Sequence, residues 1–200
     1  MAIPTDKPTA SPGRPDLPNR KRMRLWGFNY SMSKAYFVTI VTQGRVNRFG
    51  AVINGQMVLN DAGRMVETCY KELGNGHDDI ECLDYVIMPN HLHFIVHLHP
   101  ANDSSADSLA GTSLYELVKR LKSKTTVGYS HGVKQQGWAP FDHHLWQRGY
   151  YDHIIRHERA YDYIRNYIYL NPERWFYDKI NPECSDKPDD INKAIKDLYA

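Results

Sequence analysis

The chain has 200 residues, enough for one domain with extensions and a real core. Its net charge of +2 is too small to announce a nucleic-acid partner, and no apolar run approaches membrane-spanning length. The N-terminus lacks the apolar segment of a signal peptide, and Cys69, Cys82 and Cys184 are odd in number without ligand spacing, which points to a reducing cytoplasm.

Residues 1–19 carry five prolines and read as a disordered lead-in. RKRMR at 20–24 packs Arg20, Lys21, Arg22 and Arg24 together, either a solvated arm or one that contacts phosphates. AYFVTIVTQ, 35–43, has the β-branched and aromatic content of a strand. AVINGQMVL, 51–59, reads as a hairpin, Asn54-Gly55 supplying the positive φ angles of a type I′ turn. A helix starts at Asn60 or Asp61 and ends near Gly74, with Met65, Val66, Cys69, Tyr70 and Leu73 as its apolar stripe.

Two strands follow, 79–88 and 91–98, joined by a tight turn at Pro89-Asn90. The run 101–111 reads as a flexible loop. Ser113 and Glu116 form a capping box that opens a helix to about Tyr129. Its Lys119, Lys122 and Lys124 lie outside the apolar stripe. GYYDHIIR, 149–156, reads as the last strand and residues 158–171 as the last helix, stopped at Pro172. The acidic segment 179–200 reads as a peripheral tail, leaving 25–178 as the folded domain. Hairpin aside, the order is βαββαβ plus one helix, an α+β ferredoxin-like fold with an antiparallel sheet.

The segment YVIMPNHLHFIVHLHP, 85–100, holds His91, His93, His97 and His99 on one face of a strand. Leu92, Phe94, Val96 and Leu98 occupy the other face and suit a core beneath the two helices, leaving the histidine face open for a site. At roughly 3.3 Å per residue, His91 and His99 stand about 26 Å apart, so all four cannot share one ion. A pair two residues apart can. In the last helix Tyr163, Tyr167 and Asn171 are spaced by four and share a face, which sets a phenol one turn from an amide oxygen. Aromatic residues at that spacing also suit a core.

VIMPNHLHFIV (86–96), LWQRGYYDHIIR (145–156) and YIYLNPERW (167–175) together resemble the REP-associated tyrosine transposases, relatives of the single-tyrosine HUH transposases of IS200-like elements. The resemblance covers most of 22–178. It implies a metal site of His91, His93 and Asn171 holding Mg²⁺ or Mn²⁺, with Tyr167 as the nucleophile and Tyr169 as its close rival. His97 and His99 fall outside the motif and are expected at the surface or facing DNA.

The implied reaction is cleavage of single-stranded DNA beside a hairpin through a 5′-phosphotyrosine, by a monomer or homodimer. Phosphate contacts are expected from Arg20, Lys21, Arg22, Arg24, Lys119, Lys122, Lys124, Arg148, Arg156 and Arg174, and base stacking from Trp146, Tyr150, Tyr151 and Trp175. Trp138 and Trp146 have a second reading, as residues that order the loop 131–148. Two other functions fit the same residues: a hairpin-DNA-binding protein without nuclease activity, and a metal-dependent hydrolase whose nucleophile is water.

Overall fold

The computed structural model describes residues 34–100 and 112–184, together with Lys193 and Asp197. The basic arm with Arg20, Lys21, Arg22 and Arg24, the loop 101–111 and most of the segment after 184 lie outside the described residues.

Strand β1 (Lys34–Val41) is followed by the hairpin β2 (Gly50–Ile53) and β3 (Gln56–Leu59), whose turn places Asn54 at φ 52° and Gly55 at φ 74°. Both angles are left-handed, as a type I′ turn requires. Helix α1 (Asp61–Lys71) begins at Asn60, whose side chain accepts a hydrogen bond from the Gly63 backbone N–H. Strands β4 (Ile80–Ile87) and β5 (His91–Leu98), helix α2 (Leu114–Gln136), strand β6 (Tyr151–Ile155) and helix α3 (Glu158–Leu170) complete the order.

The main sheet runs β4-β5-β1-β6 with every neighbour antiparallel, which is the ferredoxin-like topology. Strand β5 is therefore internal, hydrogen-bonded to β1 on one side and β4 on the other. The β2–β3 hairpin forms a separate two-stranded sheet.

Helix α2 runs seven residues beyond the expected end at Tyr129. Its cap is as expected at the start: Ser113 and Glu116 form the full capping box. At the far end tertiary packing overrides the weak helix formers in GYSHG. Gly132 lies directly under the Trp138 ring, where a Cβ would fall 2.2 Å from a ring carbon. The helix stops only at Gly137, which is left-handed at φ 69°.

Two cores flank the sheet. Val38, Ile40, Leu92, Phe94 and Val96 pack against Val66 and Tyr70 of α1 and Leu117 and Leu121 of α2. On the other face Phe37, Ile95 and Ile155 pack against Ile164 and Ile168 of α3. The histidine face is thus not open, because Ile95 shares it and anchors α3 across it. His91, His93 and His97 are buried. Residues 179–184 also belong to the packed structure: Ile180 and Asn181 are buried, and Asn90 Nδ2 donates to the Ile180 carbonyl at 3.1 Å.

Candidate metal and nucleophile site

Alternation along β5 places His91 and His93 side by side on the α3 face, with ring centroids 4.5 Å apart. Their neighbours fix each ring. Asn90 donates through Nδ2 to the carbonyls of Arg45 and Ile180, so its Oδ1 must accept, and His91 Nδ1–H donates to it at 2.9 Å. That tautomer leaves the lone pair of His91 on Nε2, a buried atom with no hydrogen-bond partner among the described residues. His93 Nδ1 bonds Thr39 Oγ1 at 2.7 Å, and its ring stacks on Phe37. Its Nε2 faces the Tyr167 hydroxyl at 3.4 Å.

Both rings are held neutral. Burial pushes His91 down to about 3, opposed by the nearby Asn171 amide. Burial also takes His93 well below its ordinary value, helped by His91 beside it. Neutral imidazoles with directed Nε2 lone pairs are metal-ready donors.

Helix α3 brings Tyr167 and Asn171 to the same place. Tyr167 is buried, its ring 5.3 Å from His93 and edge-on to Phe37. Asn171 caps α3 one turn later; its buried Oδ1 has no hydrogen-bond partner among the described residues. An acceptor buried without a partner costs about 1–3 kcal/mol, which a cation would offset. Tyr169, the rival nucleophile, is half exposed, whereas Tyr167 is buried beside His93. Tyr163 sits at the margin of the α3 core.

Asp178 is the residue that sequence reasoning missed. It follows a 3-10 turn at Trp175–Tyr177, is buried, and holds Oδ2 3.5 Å from His91 Nε2. Its Oδ1 accepts from the Ile180 backbone N–H at 2.7 Å. Donor atoms of His91, His93 and Asp178 all lie within 4.8 Å of one another. Two imidazoles and a carboxylate, with an amide oxygen close by, suit a divalent cation, and the carboxylate makes the set harder than two imidazoles and an amide. No periodicity marks Asp178; only the reversal of the chain after Pro172 brings it back.

The expected DNA contacts divide. Lys119, Arg148, Arg156 and Arg174 are exposed. Lys122 instead donates to the Gln147 and Gly149 carbonyls at 2.8 and 2.6 Å, and burial lowers it to about 8. Lys124 pairs with Glu72 at 2.7 Å. Trp146 is not available for stacking: it is buried on Phe49 and donates to Thr125 Oγ1 at 2.8 Å. Trp175 is buried against the His91 ring at 5.9 Å. Tyr150 is half-buried on the core, while Tyr151 is exposed beside Tyr167. Arg45 and Lys179, neither singled out by the sequence, line that same cleft. His97 is buried, not at the surface, and His99 is about one third exposed, at 33 %.

The chain shares features with known proteins over this same region. It is 33% identical over 169 residues to an uncharacterised protein of Haemophilus influenzae, covering 81% of this chain and 93% of that one. It is 24% identical over 149 residues to a second H. influenzae protein that carries the provisional name REP-associated tyrosine transposase, covering 74% of this chain and 76% of that one. A solved structure of a REP-associated tyrosine transposase bound to a REP hairpin matches with a TM-score of 0.46 at 20% identity, over 70% of this chain and 66% of that one. A crystal structure from Deinococcus radiodurans, provisionally described as a transposase, matches with a TM-score of 0.40 at 18% identity, over 72% of this chain and 92% of that one. The profile of the IS200-like transposases matches residues 35–171, from β1 through Asn171. That span holds most of the sheet, both central histidines and the tyrosine helix, and the chain belongs to the IS200-like transposase family.

Proposed function

We propose that this transposase is a metal-dependent, single-strand DNA endonuclease and strand transferase that acts beside hairpin DNA, with Tyr167 as its nucleophile. The observation that carries the reading is the Tyr167 hydroxyl 3.4 Å from His93 Nε2, beside the converging donors of His91 and Asp178. The hairpin substrate rests on the motif resemblance, and an association with REP elements on the name of the second H. influenzae relative.

His91, His93 and Asp178 would hold Mg²⁺ or Mn²⁺, with Asn171 as a further ligand, and the ion would polarise the scissile phosphate. Tyr167 attacks phosphorus through its phenolic oxygen. The phenol gives up its proton to solvent as its oxygen bonds to phosphorus; the bond to the 3′ oxygen breaks, and that oxygen takes a proton from solvent and leaves as a hydroxyl. The 5′ phosphate stays on Tyr167 as a diester, so a later 3′ hydroxyl can displace the phenol without ATP. Phe37 and His93 hold the Tyr167 ring by edge contacts, which limits its swing. Arg45 and Lys179 flank the cleft and suit the phosphates on either side of the cut, and Tyr151 offers an unpaired base a ring face.

Labelled single-stranded DNA carrying a hairpin, incubated with the protein and Mn²⁺, should yield a covalent adduct that maps to Tyr167. Product without any adduct would instead assign water as the nucleophile. Hairpin binding with neither adduct nor product would leave a binding protein.

A further inference from the structure

The second histidine pair is not a repetition of the first without purpose. Ile95 separates the two pairs by anchoring α3 to the sheet, and each pair meets a carboxylate from a different element. His93 and His97 are about 13 Å apart along the strand at roughly 3.3 Å per residue, so the two groups cannot share an ion.

We propose that Glu81, His97 and His99 form a second metal site, one that takes a zinc-like transition-metal ion. Glu81 stands directly across from His97 in the β4–β5 ladder, so the sheet itself sets their spacing. The backbone of His99 is tied by its N–H to the Asp79 carbonyl at 2.8 Å. Donor atoms of all three residues lie within 4.8 Å of one another. His97 Nδ1 and His99 Nε2 approach the same oxygen, Glu81 Oε2, at 3.4 and 3.5 Å.

Those separations are informative. They are longer than the usual N–H···O hydrogen bond, whose range ends near ~3.2 Å. Tetrahedral bonds of about 2.0–2.2 Å to one ion would set neighbouring donors about 3.3–3.6 Å apart. Both histidine donors thus stand from Glu81 Oε2 at the spacing of a zinc coordination edge, and they lie within 4.8 Å of each other. Two imidazoles and one carboxylate, without the amide oxygen that Asn171 adds at the first site, form a borderline donor set that suits Zn²⁺. Burial of the His97 ring limits its rotation, while Glu81 and His99, each about one third exposed at 34 % and 33 %, give an ion entry and leave room for water as a fourth ligand. An ion there would clamp the edge strand β4 to β5, at the opposite end of β5 from His91.

The test reads metal content and does not depend on cleavage. Untagged full-length chain is stripped with EDTA, equilibrated with Zn²⁺ and dialysed, and bound zinc is counted. The wild type should hold one equivalent more than Glu81→Gln or His99→Ala. In a His91→Ala/His93→Ala background one equivalent should remain, and Zn²⁺ should raise the thermal midpoint. Adding Glu81→Gln should abolish both effects, with the far-UV spectrum of the metal-free chain unchanged. Zinc content equal to wild type in both Glu81→Gln and His99→Ala would overturn the site, as would a folded His91→Ala/His93→Ala chain that binds none. Should that double variant not fold, the single variants alone decide, because Glu81 and His99 are partly exposed and their substitution leaves the cores intact.

Discussion

Asp178 Oδ2 lies 3.5 Å from His91 Nε2, joining a residue beyond helix α3 to the first residue of the internal strand β5. Both atoms are buried, and the contact places a carboxylate where the sequence motif supplies only an amide. Asp178→Asn should keep the fold and weaken Mn²⁺ binding by about tenfold or more, since losing even an outer-shell partner costs roughly that much. Calorimetric titration of Asp178→Asn beside Asn171→Ala separates the two ligands. Unchanged affinity in the first and loss in the second would leave Asn171 as the third ligand alone.

The identity of the nucleophile is tested by three phenylalanines. Tyr167→Phe keeps the ring that packs on Phe37 and His93 and removes only the hydroxyl, at a stability cost of about 0.5–1.5 kcal/mol. It should bind hairpin DNA and form no adduct. Tyr169→Phe, altering a half-exposed ring, and Tyr163→Phe should both form it. An adduct mapped to Tyr169 would show that α3 turns a different face to the site.

The parts of this arrangement that follow from spacing could be read in advance. The alternation of 91–98, the Asn54-Gly55 turn, the Ser113–Glu116 box and the Tyr167–Asn171 turn are all local patterns, and each lies where its pattern places it. What could not be read is what long-range packing decides. Ile95 shares the histidine parity and looks like an interruption of a polar face, yet it seats α3 and closes that face. Trp146 looks like a stacking residue until Phe49 and Thr125 surround it. Asp178 carries no local signature, since its role depends on where Asn90 and Ile180 hold the returning chain.

The residues behind the ligands should matter nearly as much as the ligands. Thr39 holds the His93 ring through Nδ1, and Asn90 holds His91 Nδ1 and fixes the tautomer that leaves its Nε2 lone pair free to bind. Thr39→Val and Asn90→Ala should lower metal affinity about 10–100-fold with all ligands present. Thr39→Ser should restore it, because the hydroxyl returns. Equal loss in Thr39→Val and Thr39→Ser would assign the effect to packing instead.

Acid should destabilise the metal-free protein from neutral pH downward. His91 is held to about 3 when folded, while an unfolded histidine titrates near ~6.5. Between those values the unfolded chain binds the extra proton, so stability is full above the unfolded value and falls as pH drops toward the folded one. Urea midpoints of EDTA-treated protein should decline from pH 7 to 4, and less steeply in His91→Gln. Parallel declines would mean that His91 takes up its proton without unfolding.

Salt dependence measures the basic arm. Removing residues 1–24 deletes Arg20, Lys21, Arg22 and Arg24. If all four meet phosphates, the slope of log affinity against log salt should fall by about 3, at roughly 0.7 per contact on single strands. An unchanged slope would assign the arm to solvent.

Strand β5 is bonded along both edges, whereas α3 is held across the sheet by the smaller of the two cores. Regions that open most readily are those with fewer buried contacts to break. Amide exchange should therefore proceed in α3 by a partial opening that leaves β5 protected until the whole domain unfolds. Tyr167, the proposed nucleophile, then rides on the segment expected to open first, and the histidines stand in the segment expected to yield last. A strand end joined to Tyr167 could then be carried away from the cleavage point and returned while the sheet stays closed, so that one small domain would provide both a fixed anvil and a moving arm.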